Sequence, residues 1–378
     1  MKINLFRPKY CVEECLSKIR ECLISGWTGY GPKSLEFENA WSEYTGLVHS
    51  HFLNSNTSGL HLALHILKSS NRWQDGDEII TTPLTFVSTN QAILYERLVP
   101  VFADVDEYLC LDPKSLESLI SSKTRGVVFV GIGGNSGRFL EIVEICRKHG
   151  LFLVLDAAHM AGTRINGKQI GVEADVSVFS FQSVKNLPTA DSGMICFKES
   201  KYDSIARKLS WLGIDKNTFS RTNSGKNYQY LYSVEDLGFK YHGNDIMAAI
   251  ALVQLKCLED GNVHRRLLAD RYIKNLSGCA NLSIVPNAPG CESSQHLFQI
   301  RTSERENLID FLHNKSISPG IHYRDNMEYS LFSEYKRNCP SVDVACKEIL
   351  SLPLHLELGL EAVDYVSDCI ICWSRKNI

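Results

Sequence analysis

The sequence predicts an α/β fold, with a large domain on a mostly parallel sheet flanked by helices and a smaller C-terminal α+β domain. Three observations lead there. Short runs rich in β-branched and aromatic residues alternate with longer helical runs between residues 50 and 197. Those short runs are apolar on both faces, as strands are when helices cover a sheet on both sides. Near residue 256 the texture changes, and a long charged helical stretch begins.

Taken in order, the first 25 or so residues read as a lead-in arm and a helix. Residues 51–54 form a strand and 58–69 a helix with apolar residues on one face. A strand at 77–82 and a helix at 88–96 follow. Strands at 100–104 and 126–130 lead to a helix at 140–149, and strands at 152–156, 176–180 and 193–197 complete the series. A charged helix at 254–273 opens the smaller unit, which continues with a strand at 295–300, a helix at 304–314 and a last helix after 361. The expected domains are therefore 1–255 and 256–378.

Composition removes several function classes. Charged residues make up 22 % of the chain and its formal net charge is −3, which gives no footprint for nucleic acid or an anionic membrane. No apolar run approaches the roughly 20 residues that span a bilayer. The first residues lack the apolar core and cleavage site of a signal peptide, so a cytoplasmic chain is expected. Its thirteen cysteines are then reduced, and Cys110, Cys146, Cys196 and Cys346 sit in apolar stretches as small hydrophobes. Cys369 and Cys372 have CxxC spacing, but no second pair stands near, so they read as the apolar face of the last helix. Asp104 and Asp106 read as solvated loop acids, and no metal site is expected.

Ligands in such sheets bind at the carboxyl ends of the strands. Asp156 ends an apolar strand, where a buried anion needs a cationic or hydrogen-bonding partner. Lys185 follows the next strand among small and apolar neighbours, which suits a nucleophile with a lowered pKa. Thr57 and Ser58 start a helix, where hydroxyls and free N–H groups form a phosphate cup favoured by the helix dipole. Each feature alone has an ordinary structural explanation: a helix cap or a buried core pair. Together they are the parts of a pyridoxal 5′-phosphate (PLP) site. Such a site needs an acid to keep the ring nitrogen protonated and a lysine to form the Schiff base.

With those residues in view, the chain resembles the DegT/DnrJ/EryC1/StrS family of sugar aminotransferases, which are fold-type-I PLP enzymes. The resemblance runs from Gly31-Pro32 through Thr57-Ser58-Gly59 and Pro83-Leu-Thr-Phe86. It continues at Asp156-Ala-Ala-His159, Ser180-Phe-Gln-Ser-Val-Lys185-Asn186, Asp245-Ile-Met-Ala-Ala and Ile321-His322-Tyr323. It implies that Lys185 carries the cofactor and shuttles protons, and that Asp156 pairs with the pyridinium nitrogen. Thr57, Ser58 and Ser180 would bind the phosphate, Phe86 would stack on the ring, and His159 would lie beside it. Lys240 and Asn244, on a segment reaching across from a partner subunit, would complete the cofactor site of a homodimer. Thr28, His242, His322 and Tyr323 are the implied substrate-binding positions.

The chain also departs from the family pattern. Lys240 and His242 stand where many members have Asn and Arg, and Asn56 stands where Gly usually precedes the Thr. A Gly-rich loop at 131–137 replaces the usual one; it suits close backbone approach to substrate and does not match the G-x-G-x-x-G dinucleotide fingerprint. The Lys at 240 resembles members acting at C4 of the sugar.

The expected activity is transfer of an amino group from an amino acid, L-glutamate above all, to a keto-sugar, with pyridoxamine phosphate (PMP) as intermediate. The expected acceptor is a nucleotide-linked 4-keto-6-deoxy hexose, for amino-sugar and polysaccharide biosynthesis. The alternatives are a 3-keto-sugar aminotransferase, a sugar dehydratase and a non-catalytic regulatory protein. Lys185 speaks against the dehydratase, whose relatives replace the lysine. The absence of a helix-turn-helix module speaks against a DNA-binding regulator.

Overall fold

The computed structural model of the chain describes residues 2–215 and 232–376. Two helices lead in, α1 (Val12–Ser25) and α2 (Pro32–Thr45), each ended by a glycine in the left-handed region, Gly26 and Gly46. The main sheet is then laid down by β1 (His49–Leu53), β2 (Glu78–Thr81), β3 (Val99–Phe102), β4 (Thr124–Val130) and β5 (Phe152–Asp156). Two short strands, β6 (Arg164–Ile165) and β7 (Lys168–Gln169), form a side ribbon before β8 (Val176–Ser180) and β9 (Gly193–Phe197). The helices between them are α3 (Asn56–Ser70), α4 (Val87–Tyr95), α5 (Pro113–Ser118) and α6 (Phe139–His149), and α7 (Ser200–Leu209) follows β9.

The seven strands run in the order β1-β9-β8-β5-β4-β2-β3. From β8 to β3 every neighbouring pair is parallel, while β9 is antiparallel to both β8 and β1. Strands β8 and β9 are buried at every residue, because helices cover both faces. Each strand lies within two residues of its sequence expectation. The parallel run brings the carboxyl ends of β5 and β8 to one edge, next to the start of α3.

Beyond the sheet, α8 (Asp245–Lys256) and α9 (Leu258–Leu276) share the stretch 254–273 read from sequence as one charged helix, α8 taking only its first three residues. They are two helices, broken at Cys257. The apolar α8 packs against α1 and α2, whereas α9 packs on the final helix, and one straight rod cannot serve both contacts. The remaining strands are β10 (Ser283–Ile284), β11 (Cys291–Glu292), β12 (Phe298–Arg301) and β13 (Ile349–Leu352), with β12 at the centre of a three-stranded antiparallel sheet. Helices α10 (Arg305–Asn314), α11 (Pro340–Glu348) and α12 (Leu360–Lys376) complete the chain. Leu268, Tyr272, Phe298, Ile300, Val366 and Trp373 anchor a separate core there.

Packing crosses residue 256 in both directions. Ile3 of the N-terminal arm pairs with Ile317 and joins the C-terminal core. Met327, Phe332 and Val342 join the core of the main sheet. Two loop readings change with the structure in hand. Asp104 caps α11, accepting from the Ser341 and Val342 amides, and the Asp106 side chain is shielded in its own turn, accepting from the Tyr108 and Cys110 amides. Both serve backbone amides rather than solvent. In the last helix Cys369 is buried but Cys372 is exposed, so only the first belongs to the apolar face.

Candidate active site

At the carboxyl edge of the main sheet lies a cavity of about 450 Å³. Asp156, the last residue of β5, is buried in its wall. Its Oδ2 accepts a 2.7 Å hydrogen bond from the Thr89 hydroxyl on α4. Its Oδ1 accepts from the Ala158 amide at 3.2 Å and from the Asn56 side chain at 3.3 Å. Burial raises the carboxyl above the usual carboxylate range, and these donors together with the Lys185 charge pull it back. The carboxylate is thus oriented by three protein donors while facing a cavity.

Lys185 sits in the turn after β8 and lines the same cavity. Its backbone amide is fixed by the Gln182 carbonyl at 2.8 Å. Desolvation brings its ammonium down to about 8, opposed only by the Asp156 charge. A free amine is the reactive form, so near neutral pH this lysine is far better supplied with it than an exposed one. The sign is direct: below about 8 the amine is mostly protonated, above it mostly free. Capture of the aldehyde PLP by cofactor-free protein should therefore accelerate about tenfold per pH unit up to about 8, then level off. A rate still climbing to the ordinary lysine value of about 10.4 would show that burial leaves Lys185 unperturbed.

The start of α3 forms the cavity's polar end, with Ser55, Asn56 and Thr57 in its lining and Ser180 opposite. Gly193 makes this approach possible: a Cβ there would stand 2.7 Å from the Asn56 nitrogen and 2.8 Å from the Phe179 oxygen. Ser58 differs from expectation. It is buried, its hydroxyl bonds Asn54 Oδ1 at 2.6 Å, and its amide is capped by Ser55 Oγ at 3.1 Å. Ser58 braces the turn, and Ser55 takes its place facing the cavity.

Aromatic and imidazole groups close the other sides. Phe86 is 56 % exposed and lines the cavity, its ring 5.9 Å from that of Tyr323. His159 accepts from the Gly133 amide at Nδ1, 3.0 Å away, so its neutral ring carries the proton on Nε2 and donates to the Tyr323 hydroxyl at 3.1 Å. Burial, with the Lys185 charge, holds His159 well below the usual histidine range and therefore neutral. The Gly-rich loop thus lines the cavity through Gly131 and meets His159 through Gly133. Gly133, at φ +64°, aims its amide at that imidazole while its carbonyl accepts from His296 and Leu297. His322 lines the cavity, bonded through Nδ1 to Ser351 Oγ at 2.9 Å, and burial brings it to about 4.

Besides Ser58, four expected positions lie outside this cavity. Lys240 Nζ rests 3.3 Å above the Trp211 ring. His242 bonds the Gly243 carbonyl through Nδ1 at 2.6 Å, Asn244 caps α8 through the Met247 amide at 3.0 Å, and Thr28 is exposed. Besides Ser55, three residues that the sequence reading missed do belong to the site. His296 packs 4.4 Å from His159 and bonds Asn186 at 3.0 Å, Phe6 stacks on His296, and Thr89 holds Asp156.

The residues fit PLP. A fixed buried carboxylate, an amine near neutrality, a hydroxyl-lined helix start and an exposed aromatic face surround one cavity, matching ring nitrogen, aldehyde, phosphate and ring face.

Comparison with known proteins agrees. A model of the DegT/DnrJ/EryC1/StrS aminotransferase family matches residues 9–371. The spore coat polysaccharide biosynthesis protein SpsC of Bacillus subtilis (strain 168) is 32 % identical over 370 residues, 95 % of this chain and 94 % of that protein. The structure of Helicobacter pylori PseC, an aminotransferase involved in the biosynthesis of pseudoaminic acid, superposes with a TM-score of 0.92 over all of both chains at 27 % identity. Spr1654 of Streptococcus pneumoniae, solved in a PMP-form, superposes with a TM-score of 0.91 over 99 % of both chains at 26 % identity.

Proposed function

The chain belongs to the DegT/DnrJ/EryC1/StrS aminotransferase family and is a PLP-dependent sugar aminotransferase, and we propose that it moves the amino group of L-glutamate to a nucleotide-linked 4-keto-6-deoxy hexose. The observation that carries amino transfer is Lys185, a desolvated amine in one cavity with the buried Asp156 carboxylate. Bound there, PLP supplies an electron sink and carries the amine between donor and acceptor.

The chain's own residues do the rest. Asp156, held by Thr89, Asn56 and the Ala158 amide, keeps a proton on the ring nitrogen. Thr57, Ser55 and Ser180, with the α3 dipole, hold the phosphate. Phe86 covers one ring face. Lys185 Nζ, with its depressed pKa, takes a proton from the amine-bearing carbon of the donor and returns one to the acceptor carbon. His159 stays neutral, and through Nε2–H it orients the Tyr323 hydroxyl at the substrate side.

The choice of a 4-keto acceptor is supported by Lys240, which resembles members acting at C4. In the dimer we propose, the segment bearing Lys240, His242 and Asn244 serves the partner's cavity. That assignment agrees with its position outside the cavity of its own chain. The carbon is tested by supplying ¹⁵N-glutamate with 4-keto and 3-keto nucleotide hexoses and locating ¹⁵N in the product by NMR. Label on C4 is expected. Label on C3, or transfer only from another amino acid, would overturn the acceptor or donor assignment.

A further inference from the structure

Among the described residues, one group outside the cavity gathers three metal-ligating atoms. His61 and His65 lie one turn apart on α3, so both imidazoles leave the same face of the helix. Glu96 arrives from the C-cap of α4. Its Oε1 lies 2.8 Å from His61 Nε2 and 3.0 Å from His65 Nδ1, and all three atoms lie within 4.8 Å of one another. We propose that His61, His65 and Glu96 bind a divalent transition ion of the zinc class, with water as fourth ligand.

Three features favour an ion over a purely hydrogen-bonded cluster. First, the donor set is right: two imidazole nitrogens and one carboxylate oxygen make a three-ligand zinc site. Tetrahedral ligands about 2.05 Å from zinc stand about 3.3 Å apart, so each contact to Glu96 need open by only a few tenths of an ångström. Second, the outer contact is in place. His61 Nδ1 lies 2.9 Å from the Tyr241 hydroxyl, which can accept its N–H and leave Nε2 free for the metal. Third, the carboxylate is largely shielded from solvent, and among the described residues no lysine or arginine pairs with it. Its side chain is 10 % exposed, and Lys68 reaches Asp75 and the Glu96 backbone carbonyl instead.

The location gives the ion a task. Phe239 stacks edgewise on both imidazoles, at 4.8 Å from His61 and 5.1 Å from His65. The ion would pin α3, whose first turn faces the cofactor phosphate, to α4, which carries Thr89. Through Tyr241 it would also pin the segment bearing Lys240 and His242. It is a clamp on the binding machinery and takes no part in amino transfer.

The test is equilibrium dialysis of the PLP-loaded protein against micromolar Zn²⁺, with bound metal counted per chain. Wild type should hold one equivalent, His65→Ala and Glu96→Gln none, and Tyr241→Phe one equivalent with affinity weakened about 10- to 100-fold. His65 has the more exposed side chain, at 27 %, so its variant decides the matter if Glu96→Gln misfolds. Wild-type protein that binds no zinc would overturn the proposal. So would equal zinc in wild type and the His65 variant, which would place the ion on cysteines.

Discussion

Replacing Lys185 by alanine is expected to abolish the visible absorption of lysine-linked cofactor and to cut turnover by at least about a hundred- to ten-thousand-fold, the range for a lost proton-transfer group. The loss of covalent attachment adds to that. The fold should survive. The side chain stands in a cavity, and burial already disfavours its charge, bringing it down to about 8. Truncation removes a desolvated ammonium and opens no gap in packed core, so the melting temperature should hold or rise slightly. Absorbance, turnover and a thermal melt on one preparation separate loss of chemistry from loss of fold. Retained absorbance and turnover would remove Lys185 from the mechanism.

Asp156→Asn should be the second most damaging substitution. The amide keeps the size of the carboxylate and can still accept from Thr89, so the structure should change little. It carries no charge with which to hold a proton on the ring nitrogen. Leaving one member of a buried ion pair without its partner costs about 3–5 kcal/mol, about two to three and a half orders of magnitude. The loss should appear in cofactor affinity and turnover together, since the charge acts on the cofactor before and during reaction. An Asn variant with wild-type turnover would contradict the role given to Asp156.

Much of this was legible in the sequence because it is local. Alternation of apolar runs and helices gave the main sheet, since strands buried on both faces leave a mark in every short window. Asp156 at a strand end and Lys185 in the next turn were visible for the same reason. What stayed hidden depends on contacts between distant parts of the chain. Thr89 meets Asp156 across 67 residues, and His296 reaches Asn186 across 110. Neither has a local periodicity that announces the meeting.

Three particular residues make the same point. Asn56, a departure from the family pattern in sequence, acquires a reason in the structure: its amide spans the Val178 carbonyl at 3.0 Å and Asp156 at 3.3 Å. Ser58 had the right chemistry at the right helix end, but the N-cap geometry of Ser55 turned it inward. Cys257 divides a stretch that periodicity alone reads as continuous, because the two halves pack on different cores.

The central claim is that this site hands an amino group to a nucleotide-linked keto-sugar. The most direct test loads the protein with PMP, adds a panel of keto-sugar nucleotides, and follows the spectrum through one turnover. Stoichiometric return of the PLP-form absorption is expected with a 4-keto-6-deoxy nucleotide hexose, together with an equal yield of amino-sugar. Conversion by 2-oxo acids but by none of the keto-sugar nucleotides would contradict it.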